Sequence, residues 1–267
     1  MAAELILHHY DFSNYSEKVR LVLGLKGLSW RSVDIPPVLP KPDYLPLTGG
    51  YRRAPALQIG ADVFCDTKRI SEELERRFPE PSIYPGPDVA AQRTVLAGLE
   101  YWTDSAFTRN AINYISCMHA EAPRFTPEFL ADRAALLHKP EPGLAHRRAA
   151  ATKNLAQLRP QLSWISEVFS DGRPYVWGET MSLADCVIYH PLWVMDQLAG
   201  ERGETDEQRG EQKTHPGRLY GLGQRRRHGV LQSLGGQCHL DGDRELPHFG
   251  DLRRPTTVSR GGALTPT

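Results

Sequence analysis

The residues best suited to chemistry lie between Tyr51 and Thr67, where seventeen positions hold a rigid turn, a short hairpin and a helix start. In the run Arg53-Ala54-Pro55-Ala56-Leu57 a proline enters an apolar strand and removes one ladder donor. If the Ala54-Pro55 bond is cis, the preceding amide and carbonyl turn outward, where an extended peptide can pair with them. Asp66 and Thr67 then open a helix whose unbonded first amides and positive dipole end suit a carboxylate. The combination predicts a ligand cradle.

These residues need a frame to hold them. At 267 residues and 40% hydrophobic content the chain is long enough for a sizeable core and two domains. Lys plus Arg equals Asp plus Glu at 32 each, so net charge gives no reason to expect nucleic acid or an anionic membrane as partner. The cysteines Cys65, Cys117, Cys186 and Cys238 are far apart and form no CxxC pair, which argues against a zinc site and against a secreted disulfide framework. His8-His9 has no partner at ligand spacing, so no metal is expected. The N-terminal residues lack a basic leader, and no apolar run approaches the ~20 residues that span a bilayer. A cytoplasmic protein is the expectation.

Along the chain, Leu5 to His9 reads as a buried strand, Tyr10 to Asn14 as a loop, and Ser16 to Lys26 as a helix ended by Gly27. Ser29 to Ile35 reads as a second strand, followed by a proline-rich connection from Pro36 to Pro46. Ala56 to Ile59 and Val63 to Cys65 form a hairpin about Gly60-Ala61, and Thr67 to Phe78 an amphipathic helix. The order is βαβ then ββα. Four prolines between Pro79 and Pro87 mark a domain boundary. From Asp88 to about Gly200 the pattern is helical, with breaks at Ala122 to Pro127, Pro140 to Gly143 and Asp171 to Thr180. Ser182-Leu183-Ala184-Asp185 resembles a capping box with Asp in place of Glu, which assigns Asp185 to folding. After Gly200 the texture changes: twelve of the 23 glycines fall there, and every Trp and Met lies before it. Residues 201–267 are expected to be an irregular or disordered tail, and a shifted reading frame between Gly200 and Pro216, replacing a final helix, is one explanation.

Four motifs carry a resemblance: Ser13-Asn14-Tyr15-Ser16-Glu17-Lys18-Val19-Arg20, Arg53-Ala54-Pro55-Ala56-Leu57, Asp66-Thr67 followed by Ile70, and Ser182-Leu183-Ala184-Asp185 before an apolar helix. Their order and spacing resemble the cytosolic glutathione transferases, bacterial-type with serine at the catalytic position. The resemblance implies a thioredoxin-like α/β domain over residues 1–80 and an all-α helical domain over 88–200. It further implies that glutathione, as a substrate, lies along Ala54-Pro55, with Asp66 and Thr67 holding its γ-glutamyl group and Arg53 and Lys41 its glycyl carboxylate. Asp66 and Thr67 also fit ordinary helix caps, and Lys41 a solvated loop charge.

By the same resemblance Ser13 approaches the glutathione sulfur, where a hydroxyl donor and a helix dipole favour the thiolate. Ser13 could instead be the helix N-cap, but Asn14 with Glu17 three residues on can take that role and leave Ser13 available. Tyr10 and Tyr15 are the other hydroxyls in reach. The second-substrate pocket is expected from the loop after the first strand and the first long helix of the bundle, with Tyr10, Tyr101, Trp102, Ser105 and Arg109 as its lining. The implied activity is attack of glutathione thiolate on a small electrophilic molecule, in a homodimer, without metal or prosthetic group. A glutathione-fold binding or scaffold protein without turnover, and a glutathione-dependent isomerase or dehalogenase, stand as alternatives.

Overall fold

The computed structural model describes residues 4–118, 124–140 and 143–200. The expected tail and the proposed change of frame lie outside the described residues. Strand β1 (Leu5–His9) is buried along almost its whole length, as its apolar run predicts. It pairs in parallel with β2 (Arg31–Asp34) and antiparallel with β3 (Ala56–Ile59), which pairs with β4 (Asp62–Cys65) about the turn at Gly60. The sheet order is β2-β1-β3-β4, so β1 and β3 are central and β2 is an exposed edge. Helix α1 (Asn14–Leu25) crosses between the parallel strands, α2 (Tyr44–Leu47) is a single turn in the proline-rich connection, and α3 (Thr67–Arg77) follows the hairpin. This is the thioredoxin-like frame.

The helical half comprises α4 (Val89–Trp102), a π-helical turn (Thr103–Phe107), α5 (Thr108–Met118), α6 (Pro127–Leu137), α7 (Leu144–Ala149), α8 (Ala151–Val168) and α9 (Leu183–Gly200). One core runs through both halves: α1 is buried on most of its surface, packing against α3 on one side and α9 on the other. Its interior charges are paired. Lys18 Nζ donates to Glu100 Oε1 at 2.8 Å, and Lys26 Nζ to Glu75 Oε2 at 2.6 Å, which is how buried charges are accommodated.

The proline-rich boundary is part of this core. Ile83 and Tyr84 are buried, Glu75 accepts from Ser82 Oγ at 2.6 Å and Ile83 N at 3.1 Å, and Leu183 N of the bundle donates to Ile83 O at 3.0 Å. At the start of α9, Asp185 reaches back as expected: Oδ2 accepts from Ser182 N and Ser182 Oγ, and Oδ1 from Val176 N, all at 2.9 Å. The Ser182 hydroxyl donates to the carboxylate, and the amide three residues on, Asp185 N, donates to the Ser182 carbonyl at 3.2 Å. No described helix is long and apolar enough to cross a membrane.

Candidate functional site

The sheet register gathers three chain segments at one end. His8 pairs with Ala56, and Ala56 with Cys65, so the C-terminal end of β1, the start of β3 and the end of β4 lie side by side. The loop Tyr10 to Ser13, the Ala54-Pro55 turn and the Asp66-Thr67 helix start consequently share one edge. The Ala54-Pro55 bond is cis. Among the described residues no hydrogen bond reaches the amide or carbonyl of Ala54, while the carbonyls before it are taken: Lys41 Nζ donates to Arg52 O at 3.0 Å and the Tyr44 hydroxyl to Arg53 O at 2.6 Å. An unpaired, half-buried peptide beside a sheet is a place where an extended ligand can pair.

At the start of α3, Asp66 is the N-cap, with φ of 74° and its Oδ1 accepting from Lys68 N at 2.9 Å. The first intrahelical bond is Ile70 N to Asp66 O, so the amides of Thr67 and Arg69 precede the ladder. Thr67 is buried and Asp66 exposed. Asp66 is thus a cap by geometry while Thr67 takes the first helical position, and the same geometry presents amides to an anion.

Ser13 is the N-cap of α1, its Oγ accepting from Ser16 N at 3.2 Å. The expectation that Asn14 takes this role is corrected, because Asn14 is turned the other way, its Nδ2 donating to His190 Nδ1 at 3.0 Å. Capping uses a lone pair of Ser13 Oγ and leaves its hydroxyl hydrogen able to donate to a thiolate. Tyr15 lies behind the cradle: its ring is 5.2 Å from that of His190, and its hydroxyl lies within electrostatic reach of the Asp104 carboxylate. Burial, then the Asp104 charge, raises its pKa above the ordinary tyrosine value, with Arg53 pulling down and Asp66 up. Tyr15 is therefore no acid or base near neutrality.

The other expected residues fare differently. Arg53 is exposed at the cradle edge. Lys41 is buried rather than a loop cation, its ammonium over the rings of Tyr10 and Tyr44 at 5.7 and 5.6 Å. Burial, with Arg133 and Arg52 nearby and only partly offset by Asp132, pushes its pKa down to about 8. Tyr10 packs on Phe12, with centroids 4.9 Å apart, and Phe12 meets Phe129 of α6 at 5.8 Å. Of the pocket lining expected from α4 and the turn after it, Tyr101 points to solvent at 76% exposure, Trp102 stacks on Phe107 within the bundle at 5.4 Å, and Ser105 Oγ donates to Tyr101 O at 2.5 Å. Arg109 is exposed.

Sequence reasoning missed Asp104, His190 and α6. Asp104 reads as an ordinary polar helix position, and only the π-turn turns it toward α1. Helix α6 is held over the cradle loops by Asp132, which pairs with Arg52 and accepts from Leu39 N at 3.2 Å, and by Arg133, which donates to Pro37 O.

A sheet-and-bundle frame with a peptide-pairing edge and two helix N-termini turned toward it defines a glutathione-transferase-like protein, and the comparisons agree. The glutathione S-transferase N-terminal domain pattern matches residues 7–82 and the C-terminal domain pattern residues 118–211. The chain belongs to the glutathione S-transferase family. Its relatives include a stringent starvation protein A homolog of Pasteurella multocida, 29% identical over 69% of this chain and 71% of the relative. FtsZ-localized protein A of Caulobacter vibrioides is 26% identical over 73% and 79%. Among solved structures, a GST-like protein from Pseudomonas syringae is 35% identical with a TM-score of 0.53, over 73% of this chain; this chain spans 58% of that one.

Proposed function

We propose that this protein binds glutathione along Ala54-Pro55 and uses its thiolate, stabilised at Ser13, to attack a small electrophilic substrate. The observation that carries the proposal is the unpaired Ala54 peptide at the same sheet end as the N-termini of α1 and α3. In this reading the cysteinyl backbone pairs with Ala54. The γ-glutamyl carboxylate meets Thr67 and the first amides of α3, its ammonium meets Asp66, and Arg53 takes the glycyl carboxylate. Lys41 acts beneath the cradle by holding the Arg52 carbonyl. The Ser13 hydroxyl and the positive end of α1 favour thiolate over thiol, so the sulfur is a better nucleophile at neutral pH. Sulfur bonds to the electrophilic carbon as the leaving group departs with its electron pair, or as a double bond accepts them. The proposal includes a homodimer, supported by family membership, and no metal or prosthetic group.

Two relatives named for starvation response and for FtsZ localization give weight to a second reading, a glutathione-fold scaffold without turnover. Calorimetric titration with glutathione, combined with turnover of an aryl halide, separates the two. Thr67→Ala is expected to weaken binding about tenfold, the loss of one good hydrogen bond to a charged group. Ser13→Ala is expected to keep the affinity and lose thiolate absorbance together with about 100-fold in turnover. Binding without turnover of any electrophile supports the scaffold; no heat from folded wild type at millimolar glutathione overturns the transferase reading and leaves a scaffold that keeps the fold without its ligand.

A further inference from the structure

Where the sheet layer meets the bundle, a line of polar side chains runs from the first turn of α1 to α9 and on to the π-turn. Asn14, next to Ser13, donates to His190 Nδ1, and both residues are buried. An amide NH2 only donates, so Nδ1 accepts and the neutral ring carries its proton on Nε2. Burial and the nearby Lys18 ammonium keep it neutral, holding its pKa well below the ordinary histidine value. That Nε2 has no hydrogen-bond partner, and the acceptor facing it is Asp104 Oδ1 at 3.7 Å. The same carboxylate lies close enough to the Tyr15 hydroxyl for its charge to disfavour the phenolate. Asp104 stands in the π-turn, whose extra residue per turn re-aims the side chains around it; such turns recur at functional sites.

We propose that Asp104 is a positioning residue: its carboxylate faces the Nε2–H of His190 beside the Tyr15 hydroxyl, and through these two side chains it fixes the first turn of α1, which presents Ser13 to the glutathione sulfur. The inference rests on the transferase reading of Ser13. Asn14, Tyr15 and the Ser13 cap are consecutive, so the imidazole grips the helix terminus through Asn14 while the carboxylate lies on the Tyr15 side of it. A drift of about 1 Å in such a terminus is enough to lower turnover by as much as 100-fold.

The test uses the full chain with Asp104→Asn and Asp104→Leu. Nitrogen-15 spectra of wild type are expected to show His190 as the neutral Nε2–H tautomer. Asp104→Asn keeps an acceptor of the same shape, so the tautomer and, to within about threefold, kcat should be retained. Asp104→Leu removes it: kcat should fall about 10- to 100-fold with KM for glutathione nearly unchanged, and the His190 signals should move. If the Leu variant fails to fold, Asp104→Ser, too short to bridge the gap, replaces it. Unchanged kcat and unchanged imidazole signals in the Leu or Ser variant overturn the proposal, as does an Asn variant as impaired as the Leu one, which would make the charge, not the grip, the active feature. If wild type turns over no electrophile, the transferase reading has failed, and the imidazole signals alone decide whether Asp104 holds α1.

Discussion

Lys41 shows how far one residue can depart from what its type suggests. The residue is 1% exposed, its ammonium set against two tyrosine rings and one backbone carbonyl, with Arg52 and Arg133 close by. Because its pKa is about 8 in the folded protein and near 10.5 in the unfolded chain, the unfolded state binds more protons between those values. Stability should therefore rise as pH rises from about 8 to 10.5, and below pH 8 the fold carries the full penalty of a buried charge. Lys41→Met should remove that rise and be neutral to about 2 kcal/mol stabilising at pH 7. Urea midpoints across the range check this, and a variant that keeps the wild-type slope refutes the assignment. Ser13 teaches a related lesson: a sequence lists which side chains can cap a helix, but Asn14 and Ser13 were both candidates, and His190, 176 positions away, decides between them.

At the scale of elements, periodicity and punctuation were readable wherever a segment is held by local rules. β1, the β3–β4 hairpin and the α3 start follow from an apolar run, a glycine turn and an Asp-Thr cap. Asp185 was readable for the same reason, and a further consequence can be tested there. Asp185→Ala leaves Ser182 N and Val176 N buried without their acceptor, so it should destabilise the protein by about 3 kcal/mol or more in a urea titration. Asp185→Asn, which keeps one acceptor oxygen, should fall between. What was not readable depends on contacts between elements. The π-turn carries no sequence period of its own, so the directions in which Trp102, Asp104 and Ser105 project were not readable. Helix α6 was visible as a helical stretch between proline breaks, yet nothing local indicates that Asp132 reaches Arg52 across 80 positions.

At the scale of the molecule, α6 and the boundary segment are held in opposite ways. No described residue of α6 is buried, and its attachment to the cradle loops runs through Asp132, Arg133 and the contact of Phe129 with Phe12. Asp132→Ala should cost only about 1–2 kcal/mol globally while amide exchange in residues 127–137 accelerates well beyond that of α5 and α9. Equal protection in the variant and wild type would show that the helix is held by something else. The boundary segment is instead tied from both sides, since Lys26 Nζ donates to Glu75, Phe78 O and Pro81 O, while Ile83 joins Glu75 to Leu183. This bears on inheritance by recombination. A crossover between Phe78 and Ile83 would part Lys26 and Glu75 from the segment they hold, so an exchange of halves is expected to be tolerated better when the break falls after Ile83 than at the prolines that outline the boundary.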